Sequence, residues 1–453
     1  MIQSPRPESD TGIGFHYYPD DVHYREADLR AWLPELDSLR ATWLTLRSTP
    51  ARSVPEGFVR GLVEAGVEPI IHIRPKYVAP QALSELEPLL QAYARWGVRY
   101  VACFDRPNER AMWPAGEFER AKLVERFLDL WIPVATAAQR QGLVPVFPPL
   151  KQGGTYWDTS FLQAALAGLQ RRRQTALLDE LVLGCYAFAG VEAPEYGAGG
   201  PAAWPQSQPY HTPLGSQDQR GFRSFEWYAA VAASELGAPR PILMIAGGAR
   251  LGDSDPQTGE IVADDWHATC NAQIAQMMLD GSLHEALLNV NYWLIAAENG
   301  DPAALAAWFR PDGTTASAVG EVKKLGRKHR AAAKGVLTSA PISPKTLRHY
   351  LLLPRYNGVA SAWHWNLVGD IVQTYQPTCG FSPVEARHAR FVTLIGDERG
   401  IGKDIEEQLL RAGCRVERIA NADPVQAHAA LEAEAARIGG SDTHTLNHSQ
   451  GRQ

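Results

Sequence analysis

Along roughly the first 325 residues, short apolar runs rich in β-branched and aromatic residues alternate with longer amphipathic stretches. Eight such runs occur. They are GIGFHYY around Phe15, ATWLTLRS around Leu44, PIIHIRP around Ile71, RYVACFD around Ala102, LVPVFPP around Val146, LVLGCYAF around Leu183, PILMIAGG around Met244 and NVNYWLIA around Tyr292. Spacings of roughly 30 to 60 residues, with helical patterns between the runs, predict eight βα units closed into a TIM (β/α)₈ barrel. The stretch from Gly190 to Arg223 is too long and turn-rich for a simple connection, and its place after the sixth run predicts a lid or cleft wall.

Beyond GEVKKLGRKHRAAAKG the pattern changes. Residues 390–440 read as strand, turn, helix, strand, helix, which predicts a small C-terminal α/β unit of Rossmannoid type. Its turn, Gly396 to Gly402, spaces its glycines G-x-x-x-G-x-G, which is not the dinucleotide fingerprint, and Lys403 is not followed by Ser or Thr as a P-loop requires. The expected organisation is a tail over 1–11, the barrel over 12–325, a linker over 326–344, the α/β unit over 345–438 and a disordered tail over 439–453.

Composition narrows the function. A net charge of −6 and a pI near 6.1 argue against a nucleic-acid partner, and the one basic run, Lys323 to Lys334, fits a solvated helix or linker. Five cysteines at wide, irregular spacing fit neither a disulfide framework nor a metal site, and no cofactor is expected. The N-terminal MIQSPRPESDTG lacks the features of a signal peptide, and no apolar stretch reaches membrane-spanning length, so the expected location is the cytoplasm.

Two strand ends carry the chemistry of interest. The fourth run continues as RYVACFDRPNERAMWP and the seventh as PILMIAGGARLGD. This chain resembles the clan A glycoside hydrolases, in particular a bacterial group whose fourth strand ends roughly Tyr-Asn-Glu-Pro-Asn followed by a Trp, and whose seventh runs Pro-Ile-Leu, two residues, Glu-Gly-Gly. The resemblance implies two catalytic glutamates at those ends, one nucleophile and one acid/base, about 5–5.5 Å apart for retaining hydrolysis. Anchored on Pro107, Asn108 and Trp113, Asp105 stands at the family's Asn and Arg106 at its acid/base Glu. A competing register takes Asn108-Glu109 as the Asn-Glu pair but abandons the Pro and Trp anchors. Pro241, Ile242, Leu243, Gly247, Gly248 and Asp253 match without a gap, which places Ala246 at the nucleophile. A methyl group cannot attack an anomeric carbon.

The resemblance also implies a cleft lined by His16, Tyr17, Arg47, His72, Arg74, Asn108, Trp113, Tyr186, Asp253 and Trp293, with Trp293 as the platform for a sugar ring. The expected function is a degenerate glycosidase acting as a carbohydrate-binding or scaffold protein, with a protein partner or a second copy left open. Two alternatives stand beside it. One is a glycosidase using relocated acids (Asp105, Glu109, Asp253) or an inactivated form of a retaining enzyme; the other is a structural protein with a filled cleft. Arg106 allows a variant in which its guanidinium holds an anionic sugar.

Overall fold

The computed structural model describes residues 6–7, 9–255, 258–336, 345, 347–356, 359–360, 362–398, 400–420 and 424–440. Its first compact unit runs from Met1 to Arg330 and its second from Ala331 to Gln453. Each of the eight apolar runs is a strand. They are β1 (Ile13–His16), β2 (Trp43–Ser48), β3 (Glu68–Ile73), β4 (Tyr100–Cys103), β5 (Val144–Phe147), β6 (Val182–Phe188), β7 (Ile242–Gly248) and β8 (Leu287–Tyr292). All neighbours are parallel, and β8 closes on β1, giving a (β/α)₈ barrel.

Strands buried on both faces explain the nearly continuous apolar runs. One face turns inward, where Trp43, Ile70, Tyr100, Val146, Val182 and Leu243 fill the barrel. The other face, with Phe15, Leu44, Ile71, Val101 and Phe147, packs beneath the surrounding helices. Gly14 permits closure, because a Cβ there would stand 2.1 Å from Asn291 Oδ1 and 2.5 Å from the Trp43 carbonyl.

The second unit is a four-stranded parallel sheet in the order β12-β9-β13-β14, from β9 (Leu347–Leu352), β12 (Thr378–Gly380), β13 (Ala389–Ile395) and β14 (Arg415–Ile419). A small antiparallel pair, β10 (Arg355–Tyr356) and β11 (Val359–Ala360), stands apart from it. Helices Lys403–Arg411 and Pro424–Gly440 complete the predicted strand-turn-helix-strand-helix order, while β9 and β12 enlarge the sheet beyond that prediction. The expected linker begins inside helix Ser317–Val336, which also holds the basic run. Gly439 and Gly440 close the last helix, and the rest of the expected tail lies outside the described residues. No described helix is long and apolar enough to cross a membrane.

Candidate functional site

Strand alternation carries the inward face to the C-terminal mouth of the barrel, where β1 ends in His16, Arg47 and His72 are the next-to-last residues of β2 and β3, and Arg74 follows β3. The His16 ring lies 4.7 Å from that of Trp293, which follows β8 and whose peptide bond to Leu294 is cis. Both ring nitrogens of His16 are buried without a hydrogen-bond partner. His72 Nε2 donates to the Phe104 carbonyl at 2.9 Å, which fixes that tautomer and leaves Nδ1 an acceptor, also buried and without a partner. Burial, helped by the Arg74 charge and only partly opposed by Asp105, brings His72 to about 4; burial and the Arg74 and Arg47 charges take His16 well below the usual imidazole range. Both rings are neutral at pH 7.

The end of β4 is bent. Phe104 and Arg106 both take left-handed backbone (φ 76° and 44°), which costs a non-glycine residue about 1–2 kcal/mol. The bend directs Asp105 into the barrel, where the residue is 1% exposed. Arg74 Nη2 donates to its Oδ2 at 2.7 Å, Arg106 Nε donates to the same oxygen at 3.0 Å, and the Tyr186 hydroxyl donates to Oδ1 at 2.8 Å. Burial pushes the Asp105 carboxyl up, but Arg74, His72, Arg106 and the Tyr186 hydrogen bond outweigh it and hold it below the usual carboxylate range. Burial and the Asp105 charge push the Tyr186 phenol up, so it remains a donor.

Across the barrel, the β6–β7 ladder slips by one residue, from Cys185 opposite Met244 to Tyr186 opposite Ala246. The slip is a bulge at Ile245 that turns two successive side chains, Ile245 and Ala246, into the inner core. Ala246 is fully buried beside Tyr186. The two strand ends of interest thus face a common mouth with one buried carboxylate, Asp105, and a methyl group.

Asn108 and Trp113 do a different job from lining the cleft. Asn108 donates to the Lys151 and Tyr156 carbonyls and accepts from the Lys151 N–H, all at 2.9 Å, while Trp113 Nε1 donates to the Pro107 carbonyl at 2.8 Å. Together they pin the loop that presents Arg106. Glu109 turns to the same outer loop, accepting from the Thr155 N–H at 2.6 Å and from Lys151 Nζ at 3.2 Å. Although burial raises it, those partners hold its carboxyl below the usual range. Asp253 accepts from Arg250 Nε at 2.6 Å. A general acid needs a raised pKa, and Glu109 is held low. The Tyr17 ring packs with Tyr24, Trp32 and Phe58 in the outer shell, away from the strand-end cluster.

Sequence reasoning missed Phe188, two residues beyond Tyr186 on the same face of β6, with ring centroids 5.7 Å apart. Period-two alternation in CYAF was the available signal. Phe188, Gln152, Tyr196, Arg220 and Arg250 line a cavity of about 480 Å³ at the mouth, within the range of small-ligand sites.

The segment Gly190 to Arg223 is tied down as a wall. Tyr210 accepts from the Trp157 N–H at 2.7 Å, Gln152 Nε2 donates to the Gly221 carbonyl at 2.7 Å, and Gln219 Nε2 donates to Asp158 Oδ1 at 2.7 Å. Asp158 is fully buried, and burial raises it to about 6 despite further hydrogen bonds from Gly153 N–H and Tyr228. A folded pKa above the unfolded value of 3.8 means that the folded state retains a proton the unfolded state has released. Stability therefore falls as pH rises from about 4 to about 6, by roughly 3 kcal/mol in total. Asp158→Asn is expected to gain about that much relative to the parent between pH 4 and pH 7.5, read from urea midpoints. A stability difference that stays constant across that range would refute the assignment.

No protein-family model matches the chain, and no curated protein matches it in sequence. Among solved structures it is similar to a family 39 glycoside hydrolase from the gut symbiont Bacteroides cellulosilyticus WH2, at 10% identity over 70% of this chain and 64% of that one, with a TM-score of 0.45. It is also similar to native xylanase 10B from Thermotoga maritima (10% identity, 71% and 97% covered, TM-score 0.43). A third similar structure is a β-glucuronidase from Bifidobacterium dentium complexed with coumarin-3-O-glucuronide (10% identity, 71% and 49% covered, TM-score 0.39). The chain thus spans less than two thirds of the first and third of these proteins. Likeness at this distance says nothing of chemistry, and the fold rests on the closed parallel strand order itself.

Proposed function

We propose that this chain is a glycosidase-like barrel that binds carbohydrate at its C-terminal mouth and does not hydrolyse it by the retaining route. One observation carries the proposal: the mouth holds Asp105 locked between Arg74, Arg106 and Tyr186, and the strand neighbour of Tyr186, Ala246, carries only a methyl. Retaining hydrolysis needs a carboxylate nucleophile and a second carboxyl that can donate a proton. Asp105 is held ionised by its cations and donates nothing, while Arg106 keeps its proton at any physiological pH. Trp293 and Phe188 offer ring faces for the apolar side of a sugar, and His72 Nδ1 offers an acceptor for a hydroxyl.

Purified protein is expected to release no aglycone from aryl glycosides above the buffer rate. Turnover that disappears in Asp105→Asn or Glu109→Gln would overturn the proposal and favour relocated acids. The internal pairing of Asp105 and Arg106 favours a second reading, a structural barrel whose cleft binds nothing. Calorimetry with the sugars named below separates the two.

A further inference from the structure

Charge at the barrel mouth is unbalanced. Arg74 and Arg106 donate to the same oxygen of one carboxylate, and Arg47, on the neighbouring strand, donates to the Pro19 carbonyl while its Nε stays buried without a partner. His16 and His72 add no charge. The acids farther out are Asp21, near Arg47, Glu109, which is already bonded to Lys151, and, in the cavity beyond Phe188, Asp253, bonded to Arg250, with Glu192 and Asp255. Guanidinium groups held in a half-buried site are strongly attractive to an anion, because they stay charged and are weakly hydrated. Arg74 and Arg106 remain reachable, with side chains 18% and 37% exposed. Each spends one nitrogen on Asp105, Arg106 Nη2 also reaches Met112 Sδ at 3.7 Å, and their planar forks suit a second carboxylate.

The surroundings specify more than a simple ion. His16 is fully buried on the inward face beside Trp293, with two unpartnered ring nitrogens, and His72 presents an unpartnered acceptor from the adjacent wall. Buried polar atoms without partners are costly, and hydroxyl groups would satisfy both kinds. Trp293 and Phe188, ring centroids 6.4 Å apart and tilted by 78°, form an aromatic corner at the same mouth. Carboxylate, hydroxyls and an apolar ring face together describe one ligand class.

We infer that the mouth is built for an acidic sugar, a hexuronate whose carboxylate is held by Arg106 and Arg74 beside Asp105, with its ring against Trp293 and Phe188 and its hydroxyls toward His72 and His16. This rests on the carbohydrate-binding proposal and sharpens it. Asp105 then acts as a positioning residue: it orients both guanidinium groups and sets how much positive charge remains for the ligand. Removing its charge while keeping its shape tightens hexuronate binding, the opposite of what a substrate-contacting acid would show.

The test is isothermal titration of the full chain with D-glucuronate, D-galacturonate, D-glucose and acetate. At least one hexuronate is expected to bind tenfold or more tightly than glucose, and more tightly than acetate. Arg106→Gln is expected to lower that affinity at least tenfold and leave glucose binding unchanged, with Arg106→Lys intermediate because it keeps the charge and loses the fork. Asp105→Asn is expected to raise it several-fold. Equal affinity for glucose and both hexuronates, or an Arg106→Gln variant that is folded by circular dichroism and binds hexuronate undiminished, overturns the acidic-sugar assignment and leaves the carbohydrate proposal standing. Acetate binding without any sugar, or no binding at all, overturns both.

Discussion

Asp105→Ala is expected to lower the unfolding free energy by about 3–5 kcal/mol, the cost of stripping one partner from a buried ion pair. The substitution leaves Arg74 without its counter-charge and the buried Tyr186 hydroxyl without its acceptor. The Arg106 contact contributes least, because that side chain is more than a third exposed and solvent screens it. Asp105 is held below the usual carboxylate range when folded, so its contribution is present above the unfolded value of 3.8 and disappears as pH falls through the lower folded value. Urea unfolding at pH 7 measures the loss, and Asp105→Asn, which keeps an acceptor for Tyr186, is expected to lose less. A loss under about 1 kcal/mol would show that solvent already screens the whole cluster. Acetate or glucuronate at high concentration is expected to recover part of the Asp105→Ala deficit, through preferential binding to the folded state.

The strands were legible because burial on both faces leaves each one as a short apolar run, and eight of them at regular spacing have one economical closure. The bends that shape the site were not. Left-handed Phe104 and Arg106 carry no local glycine signal, and the bulge at Ile245 looks like ordinary strand in PILMIAGG. β12 escaped notice because Thr378–Gly380 is too short for a period, and it exists by pairing with β9. Tyr17 shows the limit of strand-end reasoning: one residue past His16, it falls on the outer face and joins the shell.

The frame residues have structural duties of their own. Asn108 and Trp113 hold loops together, and Gly248, at φ +79°, would place a Cβ 2.4 Å from Asn271 Oδ1. These roles concern folding and persist whichever side chains stand at positions 106 and 246.

Trp308 links that frame to Trp293, and its removal is expected to rank with the loss of Asp105. The ring is fully buried, 4.9 Å from both Phe15 and Tyr292 and 5.4 Å from His267, and its Nε1 donates to the Trp293 carbonyl at 3.2 Å. Its backbone N–H donates to the Leu294 carbonyl, so it braces the segment that follows β8 at two adjacent residues. Trp308→Ala is expected to cost about 3–5 kcal/mol, combining lost apolar burial with a cavity that rigid strands β1 and β8 cannot close. Trp308→Phe keeps most of the packing and removes only the indole donor; its expected cost is about 1–3 kcal/mol, that of a buried carbonyl left unpaired. Urea unfolding of both variants separates the two terms. Equal losses would mean that the hydrogen bond to Trp293, and not the packing, fixes this corner of the cleft. A loss below about 1 kcal/mol in Trp308→Ala would show that the shell relaxes to fill the space, and that Trp293 is braced from elsewhere.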